Sequence, residues 1–187
     1  MNEDDQYTEA EKKELLQIAR KTIENYLTEG KKEYPPTDNP KFSEKRGVFV
    51  TLHKEGNLRG CIGYPLPTKP LMEAVVDNAI ASSTEDYRFK SVSVNELENI
   101  DIELSILTVP QKVNSYKDVV VGRDGIIISK SYQKGLLLPQ VPLEQGWDLE
   151  QYISGGCWKA GLPKDEWKKD VDIEIFQAIV FGEKEFE

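Results

Sequence analysis

The chain has 187 residues, of which 39% are hydrophobic and 30% charged, a balance that fits a soluble globular protein of one domain or two small ones and excludes a disordered segment. Its 33 acidic residues outnumber 24 basic ones, and the net charge of −9 repels a phosphate backbone, so nucleic acid is set aside as a partner. The apolar runs GLLLP and DGIIIS are too short to cross a bilayer, and MNEDDQYTEAEKK lacks the features of a signal peptide, so a cytoplasmic protein without a membrane is expected.

Thr8 and Glu11 form a capping box, and Leu15, Ile18, Ala19, Thr22, Ile23, Tyr26 and Leu27 recur at helical spacing, predicting a helix over about 8–29 that Gly30 ends. The segment EYPPTDNPKF, with three prolines, reads as a loop. GVFVTLH is a strand with Val48, Val50 and Leu52 on one face, KEGN a turn, and LRGCI the returning arm of a hairpin. LMEAVVDNAIASST reads as an apolar helix with an alanine stripe (Ala74, Ala79, Ala81) suited to packing on that sheet, after Thr68 and Pro70. EDYRF is a loop and SVNEL one capped helical turn. IDIELSILT alternates strictly, with Ile102, Leu104 and Ile106 on one face and Asp101, Glu103 and Ser105 on the other. VVVGRDGIIIS reads as a second hairpin turning at Asp124-Gly125, and KGLLLP as a buried strand. DLEQYISGGCWKAG is a helix that Asp148 starts, PKDEW opens a short one, and VDIEIFQAIVF closes the chain as one strand.

Frequent hairpins without steady βαβ alternation argue for an α+β fold: two lobes, a mixed or antiparallel sheet flanked by helices, and a smaller second lobe. Residues 1–110 with 165–187 are expected to form the main lobe and 111–164 the smaller one.

The stretch LRGCIG, residues 58–63, holds the candidate site. Gly60 and Gly63 have no side chain to pack, so they read as permitting close approach of a ligand or of another segment. Cys61 is the candidate nucleophile, set against the reading of a small buried hydrophobe. His53, the single histidine, is the one imidazole available to it. With Glu55-Gly56 as a two-residue turn, His53 pairs with Leu58 and Cys61 with Val50, and the two side chains point to opposite faces. A three-residue loop over 54–56 puts them on one face but roughly 13 Å apart; only a loop over 55–57 makes them diagonal neighbours, about 7 Å apart, so a Cys-His dyad is not expected. Arg59 then stands as the cation beside Cys61, either tied to a carboxylate as scaffold or holding an anionic group with Arg88. Asp86 and Arg88 read either as substrate contacts or as an ion pair fixing their loop. Gln140, Glu144 and Trp147, in the aperiodic PQVPLEQGW, are a further substrate-binding group or a lid over core. Cys157 reads as core. Cys61 and Cys157 show no disulfide framework or metal-ligand spacing, and no phosphate loop or nucleotide fingerprint appears, so neither metal nor cofactor is expected.

LRGCIG after a FVTL strand, followed downstream by PQVPLEQGWDLEQYISGGCWKAGLPKDEW, resembles the AMMECR domain family over nearly the whole chain. EDYRF resembles that family's acidic-acidic-proline-Arg-Phe segment, with Tyr87 where proline is usual. The resemblance implies a two-lobed α+β fold with the signature near a cleft between lobes, and association with Memo-type and radical-SAM proteins. Two functions stay open: an enzyme or enzyme component acting on a small molecule or modified residue around Cys61 and Arg59, or a non-catalytic module presenting the same cleft to a protein or metabolite.

Overall fold

A computed structural model describes residues 6–186. The chain divides into two compact units, one formed by the chain up to Leu107 and again from Ile179, the other by Thr108–Ala178. The return to the first unit thus comes at 179, not at the expected 165, because the strand in between pairs inside the second unit.

In the first unit, helix α1 (Glu9–Glu29) starts on the Thr8–Glu11 capping box and stops at Gly30, whose φ of 68° is the left-handed cap. It buries Leu15, Leu16, Ala19 and Ile23. The proline-rich segment contains a short helix α2 (Pro40–Ser43), not only loop. Pro40 occupies its first turn, where the missing N–H has no intrahelical partner to lose. Strands β1 (Gly47–Lys54) and β2 (Asn57–Tyr64) form an antiparallel hairpin, and helix α3 (Leu71–Thr84) packs on both. A 3-10 turn over Val94–Asn99, capped by Ser93 and Glu96, leads into β3 (Ile100–Leu107), which pairs antiparallel with β1. With β8 (Ala178–Gly182) the sheet order is β2-β1-β3-β8.

The even-numbered residues of β1 and β3 (Val48, Val50, Leu52, Ile102, Leu104, Ile106) are fully or almost fully buried against α1 and α3. Each such side chain contributes about 1.5–3 kcal/mol by leaving water. The odd-numbered residues Phe49, Thr51, His53, Asp101, Glu103 and Ser105 are all half-buried. That asymmetry is what creates a face with polar side chains on it.

The second unit holds β4 (Gln111–Val113), β5 (Gly125–Lys130), β6 (Gln133–Leu137) and β7 (Asp172–Phe176), ordered β4-β7-β5-β6, with helices α4 (Val141–Gln145) and α5 (Leu149–Lys159). Its core gathers Ile126, Ile128, Tyr152, Ile153 and Cys157. The hairpin turns at 131–132, not at the expected Asp124-Gly125, with Ser131 at a φ of 56°, while residues 119–121 form no strand. Asp124 is instead a fully buried acceptor, taking N–H bonds from Val120 (2.9 Å), Arg123 and Gln177, which fixes the segment before β5. The closing run is also two strands, since Gln177 breaks it and exchanges hydrogen bonds with Thr108, so β7 and β8 enter different sheets.

Candidate functional site

The hairpin turn is the two-residue form. Glu55 (φ 52°) and Gly56 (φ 78°) take the two left-handed positions between paired Lys54 and Asn57, and His53 faces Leu58 as expected. Beyond that pair the register shifts. Leu52 faces Gly60 and Thr51 faces Cys61, which leaves Arg59 as the extra residue of a bulge. The expected pairing of Cys61 with Val50 is therefore overturned. Alternation restarts one residue late, so Cys61 leaves the Val48-Val50-Leu52 face and joins that of Phe49, Thr51 and His53.

The two glycines are explained by the protein's own atoms. A Cβ on Gly60 would stand 2.1 Å from the Ser82 carbonyl oxygen of α3, and one on Gly63 would stand 2.4 Å from both the Phe49 ring and the Val48 carbonyl. Both permit close approach, but at both the approaching group is the chain itself.

Cys61 is held by its backbone. Its N–H donates to Asp86 Oδ2 at 2.9 Å and its carbonyl accepts from Arg88 Nη2 at 3.4 Å. Arg88 in turn donates from Nε (2.9 Å) and Nη2 (2.7 Å) to Asp86. β2 is an edge strand, and this pair closes its free N–H and C=O at the cysteine. The Arg88 guanidinium, with further help from the backbone N–H groups of Cys61 and Arg88, keeps the Asp86 carboxyl well below the ordinary carboxylate range. Asp86 and Arg88 thus form the ion pair of the loop-fixing reading, while Tyr87 between them is 94% exposed.

Arg59 is likewise committed. Its guanidinium donates to Glu96 through Nε (3.1 Å) and Nη2 (3.2 Å), and to the carbonyls of Lys90 (2.8 Å) and Ser91 (3.4 Å). Lys54 shares the same carboxylate, and Arg59 first, then the Ser93 N–H, hold Glu96 well below its usual range. This is the arrangement of the scaffold alternative, a guanidinium tied to one carboxylate and two carbonyls.

What remains beside the thiol is different. Thr51 Oγ1 donates to Cys61 Sγ at 3.3 Å. Across β1, Thr51 faces Glu103 and His53 faces Asp101, which is paired with Lys184 at 2.5 Å. His53 lies two residues along β1 from Thr51, a diagonal neighbour of Cys61 at about 7 Å, within reach of a ring side chain. Among the described residues no hydrogen bond joins His53 to Cys61. The thiol is thus partly exposed on a face with a hydroxyl, an imidazole and a carboxylate, the groups that thiol chemistry uses to hold and move a proton. His53 as neighbour, and Thr51 and Glu103 altogether, were missed by the sequence reading; the odd-face alternation of β1 and β3 carries their signal, but only the bulge brings Cys61 to them. Cys157, by contrast, is fully buried, and burial pushes its thiol pKa up.

Gln140, Glu144 and Trp147 belong to the second unit, so Cys61 is not part of the same local structure. Their segment is not all loop: Gln140 is the N-cap of α4, Glu144 lies in α4, and Gly146 (φ 64°) ends it before Trp147. The Trp147 ring lies on Gly155 of α5, where a Cβ would come within 2.7 Å of it. Among the described residues no group of three or more His, Cys, Asp and Glu side chains is placed to hold a metal ion, and no helix is long and apolar enough to cross a membrane.

The AMMECR1 family model matches residues 16–181. A protein of Methanopyrus kandleri is 50% identical over 183 residues, covering 91% of this chain and 87% of its own, and one of Pyrococcus abyssi is 46% identical over 182 residues, covering 91% and 89%. A crystal structure of an uncharacterized protein from Pyrococcus horikoshii superposes with a TM-score of 0.73 at 44% identity, covering 91% of this chain and 90% of that one.

Proposed function

The chain belongs to the AMMECR1 family, and from that premise we propose that it is an enzyme or enzyme component that uses Cys61 as a nucleophile toward a small molecule or a modified residue. The observation that carries this reading is the bulge at Arg59, which turns the thiol out of the buried face and onto that of Thr51 and His53. Bulges are often found beside active sites, where they re-aim one side chain. In the step envisaged, His53 takes the thiol proton as Sγ adds to a carbonyl carbon of the substrate, the C=O π pair moves onto the oxygen, and the imidazolium returns the proton to that oxygen. The Thr51 hydroxyl steadies the sulfur, and the Asp86–Arg88 clamp holds the backbone under it.

The test is competitive alkylation of the folded protein with iodoacetamide near neutral pH, read by peptide mass spectrometry. Cys61 reacts well before Cys157, and His53→Gln slows Cys61 while leaving Cys157 unchanged. Cys61 as inert as the buried Cys157 overturns the proposal.

A further inference from the structure

All three tryptophans of the chain, Trp147, Trp158 and Trp167, line one groove of about 590 Å³ in the second unit. Separate local devices bring them there. Trp147 follows the left-handed Gly146 and rests on Gly155. Trp167, in a 3-10 turn over Glu166–Lys168, donates from Nε1 to Ser154 Oγ at 3.0 Å and packs on Tyr116 at 4.6 Å between ring centroids. Trp158, in the last turn of α5, is 68% exposed. Two indoles are therefore pinned as walls and the third is left open to solvent, the arrangement of a surface that gains by being covered.

The polar lining narrows the occupant. Asp148, Glu150 and Asp165 border the groove, and among the described residues none of the three is in an ion pair. Asp148 is spent as the N-cap of α5, which leaves Glu150 and Asp165 as unmatched carboxylates. Of the two lysines present, Lys168 is laid over the Trp167 ring with Nζ 5.2 Å from its centroid, so one wall already holds a cation, and only Lys164 opposes a second. A proline-rich segment or a neutral sugar would use the same rings but would bring no counter-charge to the two carboxylates.

We propose that this groove docks an arginine-bearing segment of a partner protein, with guanidinium groups stacked on the open indole faces and paired with Glu150 and Asp165. The groove is separate from the thiol chemistry, so either proposal stands or falls alone.

Because every tryptophan lines the groove, intrinsic indole fluorescence of the full chain reports its occupancy directly. The probe is an acetylated, amidated peptide of alternating Gly and Arg; the comparison peptides alternate Gly with Glu and Gly with Pro, and free argininamide is the small-molecule arm. The Arg peptide produces a saturable change that weakens with salt, and Trp158→Ala and Glu150→Gln each lower its affinity by about fivefold. Trp158 lies mostly in solvent, so its replacement leaves the core intact, and an unchanged melting curve verifies that. No saturable change, an equal response to the Glu peptide, tighter binding of the Pro peptide, argininamide binding as tightly as the Arg peptide, or unaltered affinity in both variants overturns the proposal.

Discussion

Gly60→Ala tests the geometry around the cysteine most directly. The new methyl carbon would stand 2.1 Å from the Ser82 carbonyl oxygen and 3.2 Å from its carbon, with Leu52 Cδ1 at 3.8 Å behind them. Two of these three atoms are backbone near the end of α3, so no side-chain rotation relieves the clash. Either β2 or the helix end must retreat by about 1 Å to restore ordinary contact, and that opens gaps along a well-packed interface. Overpacking a core costs about 1–3 kcal/mol even where side chains can adjust, so about 3 kcal/mol is expected here. For a chain of this size that lowers the melting temperature by about 6–12 °C. Circular dichroism melts of the wild type, Gly60→Ala and Gly182→Ala provide the assay. Gly182 is the control, since a Cβ there meets nothing closer than 3.4 Å, and its variant stays within about 0.5 kcal/mol of the wild type. A Gly60→Ala protein melting within about 2 °C of the wild type would mean that the helix does not lie against the strand as described.

The carboxylates that organise LRGCIG predict a pH signature. Arg88 and Arg59 hold Asp86 and Glu96 below their unfolded values of about 4, so the stability they contribute is present above that pH and is lost as pH falls through the lower folded-state values. Urea midpoints of Asp86→Asn and Glu96→Gln therefore lie below the wild type at pH 7 and converge on it in acid; a gap that widens in acid contradicts the sign. Asp77 anchors the proline-rich segment, accepting from Tyr34 Oη at 2.8 Å and pairing with Lys32 at 2.7 Å and with Lys69. Burial alone would raise its pKa, but these partners bring it below the usual range. Asp77→Ala speeds proteolysis within residues 31–36 while largely preserving the helical signal, and an unchanged cleavage rate would show that the anchor is elsewhere.

Much of the fold was legible in the sequence because its signals are local. The Thr8–Glu11 box and Gly30 delimit α1, Asp148 starts α5, and the period of two in VFVTL and IDIELSIL places Val48, Val50, Leu52, Ile102, Leu104 and Ile106 in the core. Gly56 marks a turn within KEGN, but the choice of the two-residue form came from the structure, since Glu55 takes a positive φ that its side chain does not announce. The family was legible too, from LRGCIG and the downstream block. Only tertiary structure decided which way Cys61 faces. A strand read by alternation carries no mark of the residue at which the ladder will slip, and the slip at Arg59 follows from partners far along the chain: Glu96 takes its guanidinium, Ser82 presses on Gly60, and Asp86 fixes the N–H of Cys61. The same cause hid the division of the last run into β7 and β8, since VDIEIFQAIVF carries no Gly or Pro to mark a break and divides where Gln177 meets Thr108. Local periodicity determines which side chains prefer burial; which neighbours arrive to bury, pair or expose them is settled by contacts distant in sequence.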